Sequence, residues 1–186
     1  MKHLFGTDGI RDVVNEKLTC ELAMKLGNAV ANLFSNKYKK LYLARDTRNS
    51  GKMLELAIAS GALAGGMNVE SCGVLTTPAL AYITHKERAL GIVISASHNP
   101  GEYNGIKFFD HEGLKLRDEI EGEIEEIVLK NKDLGSRPIG EKLGSLSLYN
   151  EGQEDYINYL METIPVDLSG LKIAMDCGHG AASYIG

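Results

Sequence analysis

Between Ile94 and Phe109 the chain reads ISASHNPGEYNGIKFF, which sets Ser97 beside His98 and Asn99, with Lys107 a little further on. A serine hydroxyl is a poor nucleophile unless a base or a metal assists it. Ser97 and His98 are adjacent, so they cannot form the separated, convergent pair of a hydrolytic triad. Ala96 and His98 also depart from the G-x-S-x-G elbow of serine hydrolases. The other chemistry open to such a serine is to carry a phosphoryl group. That adds roughly −1.5 to −2 of charge. It calls for backbone donors, basic side chains and usually a divalent cation. Asn99 can donate from its amide, His98 can donate a hydrogen bond or a proton, and Lys107 brings a compact positive charge. Gly101 and Gly105 let the backbone approach a ligand closely. The same residue types also make plain turns in solvent, and the spacing alone leaves both readings open.

The elements that must position these residues follow from periodicity. Thr19 is placed to cap a helix over TCELAMKLGNAVANLFSN, with Leu22, Leu26, Val30 and Leu33 on one face. LYLA, from Leu41 to Ala44, reads as a strand, and RDTRNSG after it as a polar loop. KMLELAIASGALAGG reads as a helix stopped by Gly65 and Gly66. NVESCGV reads as a strand. Thr77 can cap the next helix with Pro78 in its first position. GIVIS and GIKFF read as strands. RDEIEGEIEEIVLKN is an acidic amphipathic helix with Ile120, Ile124, Ile127 and Val128 inward and its glutamates forming a solvated face. RPIGEKLGSLSLYN looks loop-like. EGQEDYINYLMETI is a helix with Tyr156, Leu160 and Ile164 on one face, and PVDLSG is a turn. LKIAMDC, from Leu171 to Cys177, reads as the first strand of another unit.

Strands alternating with helices imply an α/β protein: a three-layer α/β/α domain with a mainly parallel, mixed sheet. Ligands of such sheets bind at the carboxyl ends of strands, where the loops RDTRNSG, LTTPA and SASHNPGEYNG all emerge. The expected organisation is a domain over residues 1–150, a linking helix and turn over 151–167, and the truncated start of a second α/β domain over 168–186.

A chain of 186 residues suffices for one domain that buries about two-thirds of its unfolded surface. The net charge of −5 gives no reason to expect nucleic acid or an anionic membrane as partner, so a phosphorylated ligand needs local cations. Cys20, Cys72 and Cys177 are scattered with no C-x-x-C, which argues against a disulfide framework or a zinc site and for a reducing, cytoplasmic setting. MKHLFGTDGIRD lacks the apolar core of a signal peptide, and no apolar run approaches the roughly 20 residues of a membrane span.

Four segments stand in order: LFGTDGIR from Leu4, ARDTRNSG from Ala44, GIVISASHNP from Gly91 and NGIKFF from Asn104. Together they closely resemble the N-terminal domain of the α-D-phosphohexomutases, which interconvert 6-phospho and 1-phospho sugars. LFGTDGIR and GIVISASHNP look most like the bacterial phosphoglucosamine mutase branch. EYNG is closer to the phosphomannomutase/phosphoglucomutase branch. LKIAMDCGHG resembles the start of the family's second domain.

The resemblance implies that Ser97 is the phosphorylated residue, giving its phosphate to a monophosphosugar and recovering one from the bisphosphosugar that results. It implies Mg²⁺ bound through that phosphate, with the other ligands in an Asp-Gly-Asp-x-Asp segment of the second domain; no D-x-D occurs in this chain. It implies a proton-transfer role for Lys107, a place for Arg11 at the same site, and His98 and Asn99 flanking the phosphoserine. Arg45, Asp46 and Arg48 could touch phosphate or simply form ion-paired loop structure. Ser95 competes with Ser97, since residues two apart in a strand share a face; the family pattern favours Ser97. His85 and Cys72 read as structural. Asp12 stands where the family usually has Gly. The expected partners are a phosphosugar, domains II–IV supplied in cis or in trans, and a second copy paired through the C-terminal tail. Against the mutase stand a non-catalytic binding or assembly module of the same fold, and an independent serine hydrolase.

Overall fold

The computed structural model describes residues 4–130, 138–164 and 166–186. In chain order it contains β1 (Ile10–Val13), α1 (Cys20–Phe34), β2 (Lys40–Arg45), α2 (Asn49–Ala64), β3 (Asn68–Val74), α3 (Thr77–Glu87), β4 (Leu90–Ile94), β5 (Tyr103–Phe109), α4 (Asp118–Lys130), β6 (Leu146–Leu148) and α5 (Gly152–Thr163). The expected α/β/α sandwich forms. Its sheet runs β1-β5-β4-β2-β3-β6. The strands β4, β2, β3 and β6 are mutually parallel, while β5 is antiparallel to both β4 and β1.

Strand alternation builds two core layers. Leu41 and Leu43 of β2, with Ile92 and Ile94 of β4, pack with Leu26 and Val30 of α1, Leu54 and Ile58 of α2 and Ile124 of α4. The intervening Tyr42, Ala44 and Val93 face the other way, against Leu80 and Ile83 of α3. Tyr149 and Tyr156 close that second layer. Tyr149 donates from its hydroxyl to Asp155 (2.6 Å), and Asp155 pairs with Lys86 of α3 (2.6 Å), so α5 is fastened to the sandwich.

Thr19 caps α1, accepting from the Leu22 amide at 3.3 Å. Elsewhere the structure corrects the sequence reading. Thr76, not Thr77, caps α3: its backbone is extended and its side chain accepts from the Ala79 amide, so Pro78 falls one position later. The helix α2 begins at Asn49, inside the stretch read as loop. The loop-like segment contains β6, which the Leu-Ser-Leu side chains do not announce because all three are exposed. The glutamate face of α4 is not wholly solvated. Glu121 is buried against Lys115 (2.8 Å), and Glu125 accepts from the Leu4 and Phe5 amides (2.6 and 3.0 Å). Burial pushes the Glu121 carboxyl above the usual range, against the pull of Lys115. Leu171 to Cys177 form no strand and pair with none of the six strands of the sheet. Met1 to His3, Asn131 at the end of the expected acidic helix, Arg137 at the start of the loop-like stretch and Pro165 of the expected turn lie outside the described residues.

Candidate active site

The strand β4 stops at Ile94 because its next residues leave the sheet at the carboxyl end of the parallel strands. Ser95 still bonds the Gly105 carbonyl of β5 through its amide (2.9 Å). Its hydroxyl donates to Asp46 (2.7 Å) and accepts from the Ser97 amide (3.1 Å). Ser97 itself is left-handed, with φ at 55°. For a residue with a Cβ that conformation costs roughly 1–2 kcal/mol, and such outliers persist only where the surroundings over-determine them. The result is an exposed Ser97 beside an exposed His98 at the tip of a turn closed by the Asn99 amide on the Ala96 carbonyl (3.1 Å). Ser97 Oγ and His98 Nδ1 are 3.5 Å apart, too far for His98 to act as a firmly bonded base.

A cleft of about 120 Å³ lies under this tip, lined by Asp8, Arg11, Ser97, His98, Gly105 and Lys107 among others. The antiparallel pairing of β1 and β5 sets Arg11 opposite Gly105. Directly opposed residues share a face, and so does Lys107 two residues along. Gly105 is required there, since a Cβ would stand 2.7 Å from the Ser95 carbonyl oxygen. Gly9 is required too: its φ is +85°, and a Cβ would lie 2.3 Å from the Ile106 carbonyl oxygen. This tight entry to β1 brings Asp8 over the cleft, where its carboxylate meets Lys107 Nζ at 2.5 Å. No ion pair or hydrogen bond among the described residues engages the Arg11 guanidinium, which is left open to an anion.

Arg11, Ser97, His98 and Lys107 therefore gather in one place. The other expected binding residues sit outside the cleft lining. Asn99 spends its backbone groups on the Ala96 carbonyl and on Arg48. Arg45 turns under α2 to pair with buried Glu55 (2.9 Å), whose other oxygen takes the Ser71 hydroxyl. Arg48 is bonded to Asp46 and to four carbonyls of the Ser97 loop. His85 lies in the last turn of α3. Cys72 is packed against the second core layer, and burial pushes its thiol far above the usual range. Asp12 pairs with Lys17 (3.3 Å) and accepts from the Val13 amide, away from Arg11. Sequence reasoning missed Asp8. Its signal was an acid held between two turn glycines, three residues before Arg11.

Among the described residues no group of three His, Cys, Asp or Glu side chains could hold a metal ion. The three cysteines are free. No helix among the described residues is long and apolar enough to cross a membrane.

Residues 2–134 match the family model described as phosphoglucomutase/phosphomannomutase, alpha/beta/alpha domain I. The chain is 49% identical to the phosphoglucosamine mutase of Alkaliphilus oremlandii, over 98% of its own length and 41% of the relative's. It is 48% identical to that of Carboxydothermus hydrogenoformans, over 100% of itself and 42% of the relative. It thus spans about two-fifths of these proteins. Among solved structures, a putative phosphomannomutase from Thermus thermophilus superposes with a TM-score of 0.73 at 25% identity, covering 88% of this chain and 36% of that one. The open form of Paramecium parafusin, a phosphoglucomutase, gives 0.75 at 20% identity over 97% of this chain and 39% of its own, a likeness of fold. The chain belongs to the phosphoglucomutase/phosphomannomutase family.

Proposed function

We propose that this chain is the phosphoserine-bearing part of a phosphohexomutase that interconverts 6-phospho and 1-phospho sugars, with glucosamine phosphate as substrate. The observation that carries the reading is Ser97, exposed and left-handed at the end of β4, over a cleft that also holds Arg11, His98 and Lys107. The names of the relatives support the sugar. Residues 1–150 are on this reading the first domain, 151–167 the connecting helix and turn, and 168–186 the start of a second domain, the setting being cytoplasmic.

Phosphoryl transfer needs positioning and charge neutralisation more than covalent help. A sugar hydroxyl attacks the phosphorus on Ser97, the P–Oγ bond breaks, and the hydroxyl's proton ends on the departing Ser97 Oγ. The open Arg11 guanidinium steadies the transferring group, and His98 hydrogen-bonds it. Lys107, an ammonium held at the cleft by Asp8, relays that proton, giving one to Ser97 Oγ as it takes one from the sugar hydroxyl. In the second half the bisphosphosugar returns its other phosphate to Ser97 Oγ. Mg²⁺, when bound, neutralises phosphoryl charge. The described residues do not make a site for it by themselves; this chain contributes an oxygen of the phosphorylated Ser97, and the carboxylates come from a second domain.

The test is to combine the chain with domains II–IV, add a hexose bisphosphate and locate the phosphate by mass spectrometry. Ser97 carries the label and Ser97→Ala loses it. Label on Ser95, or labelling that persists in Ser97→Ala, sinks the assignment. Alone, the chain shows no Mg²⁺-dependent turnover of hexose phosphates.

A further inference from the structure

We propose that Arg48, with Asp46 and Ser95, is a clamp that sets the conformation of the Ser97 loop, and that Arg48 does not bind phosphate. The catalytic consequence rests on the phosphoserine reading above; the clamp itself does not. A guanidinium has five N–H donors, and here all five are committed. Nε bonds Asp46 Oδ2 at 3.1 Å. Nη1 bonds the Pro100 and Tyr103 carbonyls at 2.6 and 3.1 Å. Nη2 bonds the Ser97 and Asn99 carbonyls at 2.9 and 2.7 Å. Nothing remains to offer an incoming phosphate, and the side chain is only 12% exposed. Arg11 is the opposite case, open in the cleft.

The clamp acts on the strained residue from both sides. The Ser97 carbonyl is held by Arg48 Nη2. The Ser97 amide is held by Ser95 Oγ, which is itself held by Asp46. The peptide units before and after Ser97 are thus tied to one Asp46–Arg48 pair, and two fixed peptide planes fix φ and ψ between them. Asp46 is in turn mounted on the sheet, its amide on the Ile94 carbonyl (3.0 Å) and its Oδ1 on the Arg48 amide (3.1 Å). A lysine at 48 could keep the charge but has three donors on a single nitrogen. It cannot span carbonyls spread from Ser97 to Tyr103.

The experiment compares wild type, Arg48→Lys and Ser95→Ala. Hydrogen exchange of the loop peptide over 97–103 is measured on the chain, with thermal melting. Kinetics are measured on the chain combined with domains II–IV. In Arg48→Lys, loop exchange rises about tenfold or more while β2 and β4 stay protected. In the combined enzyme kcat falls about 100-fold, the scale of a small misplacement, with KM for the phosphosugar within about threefold. Ser95→Ala shows the same pattern more weakly, and carries the test if Arg48→Lys does not fold. Unchanged loop exchange, with KM raised and kcat kept, would make Arg48 a phosphate ligand and overturn the clamp. If wild-type Ser97 takes no label yet loop exchange responds as described, the clamp stands and the phosphoserine reading falls.

Discussion

Two stretches of this chain are close relatives in pattern and opposites in structure. GIVISASHNPG, from Gly91, and LKIAMDCGHGA, from Leu171, each set an apolar run before a polar turn. Each turn contains a left-handed residue with a side chain, Ser97 at φ 55° and His179 at φ 52°. The first run becomes β4, buried along its whole length between β2 and β5. The second forms no strand, and Leu171, Ile173 and Met175 are 64%, 74% and 64% exposed. A hydrogen bond from the Thr47 hydroxyl to the His179 carbonyl (3.0 Å) joins its turn to the sandwich. The difference lies in the neighbours. An apolar run is a strand only where another strand takes its amides and a helix layer takes its side chains.

The strongest way to break this comparison is a matched pair of truncations. Ile92→Ala empties a fully buried site in the larger core layer and should cost about 2–5 kcal/mol. Ile173→Ala touches an exposed side chain and should stay within about 0.5 kcal/mol. Urea unfolding of both variants is the measurement. Equal losses would put the tail inside the first core.

A smaller effect tests the loop itself. Gly105→Ala drives a Cβ to within 2.7 Å of the Ser95 carbonyl oxygen and 3.1 Å of that of Ile10. Backbone must move on both sides of the cleft, at about 1–3 kcal/mol. Gly101→Ala meets nothing within 4 Å and should cost less than about 0.5 kcal/mol. Chemical denaturation distinguishes them. A neutral Gly105→Ala would mean that β1 and the Ser95 turn are less closely seated than described.

What the sequence made legible follows the same rule about neighbours. Leu41 and Leu43 alternate with Tyr42 and Ala44 because β2 has a layer on each face, and that period can be read directly. Ser97, Arg11 and Lys107 were legible as residue types in known motifs. β6 was not, because it is held by its backbone, through the Val69 amide on the Ser145 carbonyl and the Tyr149 amide on the Ser71 carbonyl (both 2.8 Å). The part played by Arg48 was legible only in its ion pair with Asp46, one of the two readings its loop allowed, and not in its four carbonyl partners. A sequence shows a cation but not where its donors go. Glu121 looked like one more surface acid, and only its pairing with Lys115 takes it inside.

The helix α5 lies between the two regions, and a pH titration shows which one it follows. Burial pushes the Asp155 carboxyl up, but the Lys86 ammonium and the Tyr149 hydroxyl outweigh it and hold it below the usual range. A carboxyl depressed in the folded state adds stability that is present above its unfolded value, about pH 3.9, and is lost as pH falls through the folded one. Asp155→Asn should therefore melt lower than wild type at pH 6, by about 0.2–1 kcal/mol for a partly exposed pair. The gap should close below about pH 4. A gap that does not change with pH would mean that the difference does not come from the ionised Asp155 carboxylate and its Lys86 pair.

The smallest expected effect concerns the tail. Leu171, Ile173, Met175 and Cys177 alternate with Lys172, Ala174 and Asp176, the pattern of a strand with one apolar face. The three apolar side chains of 171–175 bury little surface in this chain, so deleting residues 168–186 should change its stability by less than about 0.5 kcal/mol. Association is where the deletion should register. An unpaired segment of this kind is a template for pairing with a second copy, and the pairing would bury the apolar face that the sandwich leaves open. Sedimentation over a range of concentrations should show self-association of the full chain and a monomer after deletion, with thermal melting unchanged. A full chain that is monomeric throughout removes the tail as a dimer contact. If deletion instead unfolds residues 10–130, Leu171 to Cys177 belongs to the first core, and β4 and the tail differ less than their exposure suggests.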